Sequence, residues 1–388
     1  MSRFIVERDG KRYFRPMKGL ELTRGQVVLA LLGIVALFAV PDITSATRLS
    51  FSVIHQGILF GLAAVGLNLL LRHTELVSFG HAAFFGAGAY GVAVLASHYE
   101  ISSGLLLLLG AIAVATVLAL VIGYLVAGYL DIYFALLTLA FNQVLFAFVL
   151  QSGYFNYNDG LSVRVGGDRP SLLGIDQWLV ATLGTDPITA YNYTLYYLTV
   201  IILLVMLVVT WKIVNSPFGR ALDAIGQDRT RAQFVGIPVN RYVWIAFTLS
   251  GIYGGIAGGL FALLQLHVRP EPVLFVFVSG EILFMAILGG LGTLVGPIIG
   301  GIVLIYLLRL ARFYVEYHHA LTGIVLLFVV FVLPKGILGS LPEISAGLER
   351  RRRDPTLLRD DVTTIGASIQ QRMYRAVSTV RIIVFGVK

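Results

Sequence analysis

Long apolar runs divided by short polar breaks organise this chain. They cover roughly 26–41, 50–71, 76–97, 104–128, 131–151, 193–213, 242–265, 273–288, 294–311 and 318–334. A helix needs about 20 apolar residues to cross a bilayer, and somewhat fewer where the bilayer is thin or distorted. The pattern predicts an all-α integral membrane protein, a polytopic bundle of about 8–10 transmembrane helices. The full set of ten is an even number that returns the chain to its starting side. Two stretches are irregular. In 76–97 and 273–311 the glycines predict broken or re-entrant segments. The run from Val77 to Gly91 holds four glycines and His81, where a plain anchor would hold only Leu, Val and Ile. Small residues let helix backbones approach closely, and polar groups at membrane depth tend to mark a pathway.

Composition strengthens this picture. The chain is 57% hydrophobic and 13% charged, about half the charge of a soluble domain. No secretory signal is evident, because a basic leader precedes the first run and no small-residue cleavage site follows it. The absence of cysteine excludes disulfides, thiolate catalysis and Cys-based metal sites. The net charge of +8 does not form a nucleic-acid surface; it is gathered in three places. These are the leader (Arg3, Arg8, Lys11, Arg12, Arg15, Lys18, Arg24), a central loop (Lys212, Arg220, Arg229, Arg231, Arg241) and the tail from Lys335. That distribution is the positive-inside pattern. It predicts a basic cytoplasmic leader over 1–25, a transmembrane domain over 26–340 and a basic cytoplasmic tail over 341–388. Alternation then places loop 152–192 outside, with Asp159, Arg164, Asp168, Arg169, Asp176 and Asp186, and loop 214–241 inside. In the tail, Ile369, Met373, Val377, Val380 and Val384 recur at near-helical spacing among Arg372, Arg375 and Arg381. This suits a basic amphipathic helix on an anionic leaflet, and equally a disordered tail.

The central loop carries helix punctuation at both ends. Ser216 can cap free N–H groups and Pro217 suits the first helical position. Gly236 fits a left-handed C-terminal cap, and Pro238 prevents continuation. Between them Ala221, Ile225, Ala232 and Val235 can share a face, while Arg220, Asp223, Arg229 and Gln233 supply polar contacts. The spacing predicts a short helix over 216–238, bent near Gly226. Either it receives a partner or it simply lies on the inner membrane surface.

Here the chain resembles a known family. The stretch from Ser216 to Pro238 is similar to the cytoplasmic coupling loop of permease subunits from ATP-driven (ABC) branched-chain amino acid uptake systems. Other matching stretches are Gly66–Leu71, Ser78–Tyr90, Leu137–Phe141, Glu281–Thr293, Gly296-Pro297 and Pro334–Gly339. They cover about residues 50–340 in the family's order, most like the larger of the two permeases in such systems. Two departures stand out: Arg231-Ala232-Gln233-Phe234-Val235-Gly236 stands where the family usually has an acidic residue and paired alanines ahead of the glycine. The segment Phe155-Asn156-Tyr157-Asn158-Asp159-Gly160 keeps only the end of a Thr-Gly-Gly-x-Asn-Gly pattern. The resemblance implies a multi-pass translocation subunit in the plasma membrane of a prokaryote. It implies two cytoplasmic ATPase subunits, a second and different permease, an external substrate-binding protein, and a branched-chain or other neutral amino acid as solute. Urea and short amides are the alternatives within the family. Contact with the ATPases would fall on Phe218, Gly219, Arg220, Ala221, Ala224, Ile225, Arg229, Ala232 and Gly236.

Polar residues inside the runs are the pathway candidates, since a charge in lipid costs on the order of 3 kcal/mol. Glu281 follows Ser279-Gly280, where the chain can break; it either lines the conduit or caps a helix start. His81 either borders the pathway or packs helices together. Ser78, Gly80, Gly86, Gly289, Gly290 and Gly292 mark helix breaks or close approaches. Asn142 joins them, although with Thr138 and Gln143 it also suits interhelical hydrogen bonding, and His55 and Gln56 read as packing. His73, Glu75 and His98 fall at run ends, where solvated polar residues are expected. No metal spacing and no Gly-x-x-x-x-Gly-Lys-Ser/Thr phosphate loop occurs, so the sequence calls for no cofactor, no ATP site and no enzyme. A self-sufficient secondary transporter or channel would need more coupling carboxylates than Glu281 provides, and it would leave the capped loop helix unexplained.

Overall fold

The computed structural model of the chain describes residues 5–8, 11–14, 32–46, 50–184, 186–314, 323 and 336–340. Most of the leader, the run at 318–334 apart from Gly323, and the whole 341–388 tail lie outside the described residues. A hairpin of β1 (Ile5–Arg8) and β2 (Lys11–Phe14) comes first, then α1 (Val40–Ala46). Five described helices are long and apolar enough to cross a membrane: α2 (Phe51–Thr74), α4 (Gly104–Val126), α5 (Asp131–Gln151), α7 (Pro187–Val214) and α10 (Val239–Gln265). Shorter apolar helices are α3 (His81–Ser97), α12 (Val276–Gly289) and α13 (Gly296–Tyr314). The connections hold α6 (Ile175–Leu183), α8 (Pro217–Gln227), α9 (Arg229–Phe234), α11 (Glu271–Leu274) and the paired strands β3 (Leu161–Ser162) and β4 (His267–Val268).

α2 and α10 form the centre. α13 packs along α2, α3 is wedged between α10 and α4, and α12 packs on α13. Close approach explains the glycines. A Cβ on Gly57 would come within 2.6 Å of the Ile302 Cα, and one on Gly61 within 2.7 Å of the Ile298 Cα. Gly88 lies against the backbone of Gly255, and Gly258 against that of Phe85. Without a hydrophobic drive inside lipid, such backbone-to-backbone packing is what holds helices together.

The run at 76–97 is not one helix. α2 ends at Thr74, Glu75 takes a left-handed conformation (φ 56°), and α3 begins only at His81. His81 bonds Ser250, eleven residues into α10 and so about 17 Å along it. α3 thus starts in the middle of the bundle. Irregular backbone is tolerated there only if protein satisfies its polar groups. The Phe79 N–H donates to Thr138 Oγ1 (3.2 Å), the Gly80 N–H to Ser78 Oγ (3.3 Å) and the Ala82 N–H to Ser279 Oγ (2.8 Å).

The 273–311 stretch is also divided, though not where Ser279-Gly280 suggested. Both of those residues lie inside α12. The breaks fall at Phe275, which is extended between α11 and α12, and at Gly290 (φ 110°), which ends α12 before α13 begins at Gly296. Glu281 is therefore in the second turn of a continuous helix and not at a helix start.

Candidate functional site

Three polar regions sit at different levels of the bundle. The first is the loop between α7 and α10. Ser216 Oγ accepts from the Gly219 N–H (3.3 Å), with Pro217 in the first turn of α8. The break lies one residue beyond Gln227, at the extended Asp228 and not at Gly226, and the Asp228 carboxylate caps α9 through the Arg231 N–H (3.0 Å). Gly236 (φ 91°) closes α9: its N–H bonds the Gln233 carbonyl and the Ile237 N–H bonds that of Ala232, a Schellman ending. Two capped helices result, not one bent one.

This elbow has an inner and an outer side. Leu222, Ile225 and Ala232 are buried in one cluster with Leu70, Leu76, Val126, Phe134 and Phe247, and Gly219 is buried against the Ile213 and Val214 carbonyls. Leu222 is a contact that the sequence reading missed. Ala221 and Ala224 are half-buried, and Phe218 stacks on Tyr242 (5.3 Å between centroids). Gly226 sits against the end of α2, where a Cβ would come within 2.7 Å of the His73 carbonyl. His73 is no solvated end residue: it is buried, and its Nδ1 bonds Asp223 Oδ1 at 2.5 Å. Arg229 donates to the Tyr129 carbonyl (3.2 Å); burial lowers its guanidinium pKa, and the Asp131 charge opposes that shift. Arg220 and Gln233 are exposed. Val235, expected on the inner face, is 82% exposed, and its neighbour Phe234 is 87% exposed. The Schellman turn swings both outward.

The second region is a buried knot at mid-bundle. Ser250 O–H donates to the Gly66 carbonyl (2.7 Å), so its oxygen accepts from His81 Nε2–H (2.6 Å). Ser78 O–H then donates to His81 Nδ1 (3.1 Å). His81 thereby ties α2, α3 and α10 together. Gly80 rests on Thr138, where a Cβ would meet its carbonyl at 2.7 Å, and Gly86 on Leu274. Asn142 donates to the Leu274 carbonyl (3.1 Å) while its Oδ1 finds no partner among the described residues. Gly289 lies against Gly296 at the α12–α13 turn, and Gly292 faces open space.

The third region is a vestibule at the opposite end of α2 and α10 from the elbow. Gln56, Phe60, Phe261, Gln265, Arg269, Glu271, Glu281, Ile305 and Arg309 line a cavity of about 640 Å³. A second cavity of about 690 Å³ adjoins it through Phe261, Gln265, Arg269 and Pro272 and reaches Asn158, Asp159 and His267. Its wall is fixed by the β3–β4 pairing. His267 Nε2–H donates to the Asp159 carbonyl (2.8 Å), and Gly160 (φ 74°) lies against the Val268 backbone, which no side chain would allow. Of the candidate pathway residues, Glu281 alone lines a described cavity. Gln56, read as packing, also lines it. Arg269 and Arg309 are additions that neighbouring residues did not signal.

Broken helices at depth, a capped elbow at one end and a polar vestibule at the other define a polytopic, all-helical membrane permease. Residues 49–332 match the family described as "Branched-chain amino acid transport system / permease component", and the chain belongs to that family. It is 25% identical to the high-affinity branched-chain amino acid transport system permease protein LivM of Escherichia coli K12 over 289 residues, 71% of this chain and 67% of LivM. It is 26% identical to LivH of the same organism over 303 residues, 76% of this chain and 95% of LivH. The autoinducer 2 import system permease protein LsrC of Klebsiella pneumoniae is 31% identical over 141 residues, 34% of this chain and 40% of that protein. No solved structure is significantly similar. The chain is a translocation subunit of an ABC importer.

Proposed function

We propose that the elbow of α8 and α9 receives cytoplasmic ATPase subunits, and that the solute is a branched-chain or other neutral amino acid delivered by an external binding protein. The observation that carries this is the two-sided elbow. Its inner side is anchored on α2 by Leu222, Ile225 and the His73–Asp223 contact, while Phe234 and Val235 stand in the open. Large apolar side chains presented at a rigid tip suit insertion into a partner's pocket. Lys212, Arg220, Arg231 and Arg241 around the elbow support the cytoplasmic assignment of this face. The vestibule then opens outside. Relatives bearing two different permease names, LivM and LivH, support pairing with a second, different permease.

In this reading an ATPase stroke moves α9, the anchored α8 passes the movement to the end of α2, and the glycine contacts of α2, α3 and α10 let those helices tilt between outward- and inward-open states. No chemistry is required of this chain. The test is the double variant Phe234→Ser, Val235→Ser, purified from native membranes. ATPase co-purification is expected to fall about tenfold or more, with the variant still inserted and folded. Wild-type recovery of the ATPases would sink the docking assignment. Uptake by the chain alone in liposomes without ATP would sink the importer mechanism.

A further inference from the structure

The end of the bundle opposite the elbow carries a helix that the transport route does not use. α6 lines neither cavity of the vestibule, yet both of its ends are pinned to spans. At its start the Ser171 N–H donates to the Ser102 carbonyl (2.8 Å) and the Gly104 N–H to the Ser171 carbonyl (2.9 Å), which clips the chain to the first turn of α4. Leu172 is buried there, so close that a Cβ on Gly104 would come within 2.8 Å of its Cδ2. At its other end α6 stops at Gly184 (φ 61°) and α7 begins at Pro187, with the Asp186 carboxylate accepting from the Ile188 and Thr189 N–H groups (both 3.2 Å). α6 also packs on α7. Its nine residues make about 13 Å of helix. α6 is therefore held across the heads of α4 and α7, at the level where those spans leave the membrane. At that level Leu105 and Leu106 of α4 and Ile188 of α7 are exposed.

The outward side of α6 has two flanks. Ile175, Trp178 and Thr182 follow one another at i, i+3 and i+7 on the first, and Gln177 and Ala181 lie on the second. Ile175 and Trp178 are exposed, Trp178 to 60%, and so is Leu173 just before the helix. α6 contains no Lys or Arg, and the Asp176 carboxylate accepts from the Leu172 N–H (3.2 Å). A soluble protein would meet no basic charge on this flank to steer it. An indole beside aliphatic side chains suits the headgroup layer instead, where the ring sits in lipid and its N–H reaches water. We propose that α6 lies in the headgroup layer of the leaflet opposite the elbow, with Ile175 and Trp178 in lipid and Gln177 in water. Its partner is the bilayer surface. This goes beyond the readings of the elbow and of the solute and depends on neither. Its consequence is mechanical: a foot in the headgroup layer holds the heads of α4 and α7 at one depth beside the vestibule.

The chain has no cysteine, so a single substitution gives a unique labelling position in the full-length protein. Ile175→Cys, Gln177→Cys and Trp178→Cys are spin-labelled in phosphatidylcholine nanodiscs; a neutral lipid suffices because α6 has no basic side chain to require an anionic one. Collision with oxygen, which partitions into lipid, is compared with collision with a nickel chelate, which stays in water. The oxygen-to-nickel ratio is expected to be about threefold or more higher at positions 175 and 178 than at 177. Equal ratios at the three positions, or a label at 178 that meets nickel freely, overturn the proposal and leave this flank to a soluble partner. A label at 178 shielded from both reagents also overturns it, because protein and not lipid then covers the flank. Should W178C fail to fold, the native side chain decides. The emission lost in Trp178→Phe is assigned to Trp178, and brominated phosphatidylcholine is expected to quench about half of that share. No quenching of it overturns the proposal.

Discussion

α2 and α10 are the least apolar of the five long helices and the most buried. Their best windows have mean hydropathies of 1.7 and 1.6 and are 89% and 83% buried. α4 and α7 reach 3.0 and 2.5 but are only 33% and 22% buried. In a soluble protein this relation would be inverted. In a bilayer, Leu and Val gain nothing by leaving lipid for a protein core, so the centre goes to residues that pack closely or hydrogen-bond. Gly57, Gly61, Gly66, His55, Ser250 and Tyr253 sit inside, while Leu109, Val117, Val121 and Leu125 face outward. Hydropathy here measures contact with lipid, not depth in the fold.

The comparison can be broken most severely at the centre. Gly88→Leu would drive a side chain into the Gly255 backbone, with no flexible neighbour to yield. A loss of more than about 4 kcal/mol is expected, seen as failure of the chain to survive detergent extraction as a folded monodisperse species. A well-behaved G88L protein would mean that α3 and α10 are not in backbone contact. Next in size is Val117→Arg on the outward face of α4. Near a helix centre this costs about 2.5–3.5 kcal/mol of insertion free energy; an insertion assay that finds no penalty would show that something other than lipid covers that face. Smallest is Ser250→Ala, which removes an acceptor from His81 and a donor to Gly66. Interhelical hydrogen bonds in membranes average about 0.6 and reach about 1.7 kcal/mol, so the thermal midpoint in detergent should fall by a few degrees. A change of no more than experimental error would demote the mid-bundle knot to incidental contact.

Some of this architecture can be read locally and some cannot. The caps of the elbow are written in adjacent residues, so Ser216, Pro217 and Gly236 lie where their chemistry predicts. Long apolar runs also announce themselves, and α4 and α5 match theirs closely. Contacts across the chain leave no such trace. His73 looks like a solvated end residue until Asp223, 150 residues later, is folded onto it. Glu281 is conspicuous in its helix, but Gln56 and Arg269 become its companions only when α2 and α10 are packed. Where a span breaks is equally non-local: the glycines of 76–97 signal irregularity, while the start of α3 at His81 depends on partners elsewhere.

That last dependence reaches back to how the chain is made. The irregular segment before α3 hands the Phe79 N–H to Thr138 and the Ala82 N–H to Ser279, residues 59 and 197 positions further on. Neither acceptor has been synthesised when the segment leaves the ribosome, and Ser279 arrives only after most of the bundle exists. Exposed amides in lipid cost several kcal/mol each, so α3 first rests near the membrane surface or in a provisional helix. It takes its final depth once α12 is in place. A nascent chain halted before Ser279 is therefore expected to leave the Ala82 amide without that acceptor and the start of α3 unfinished.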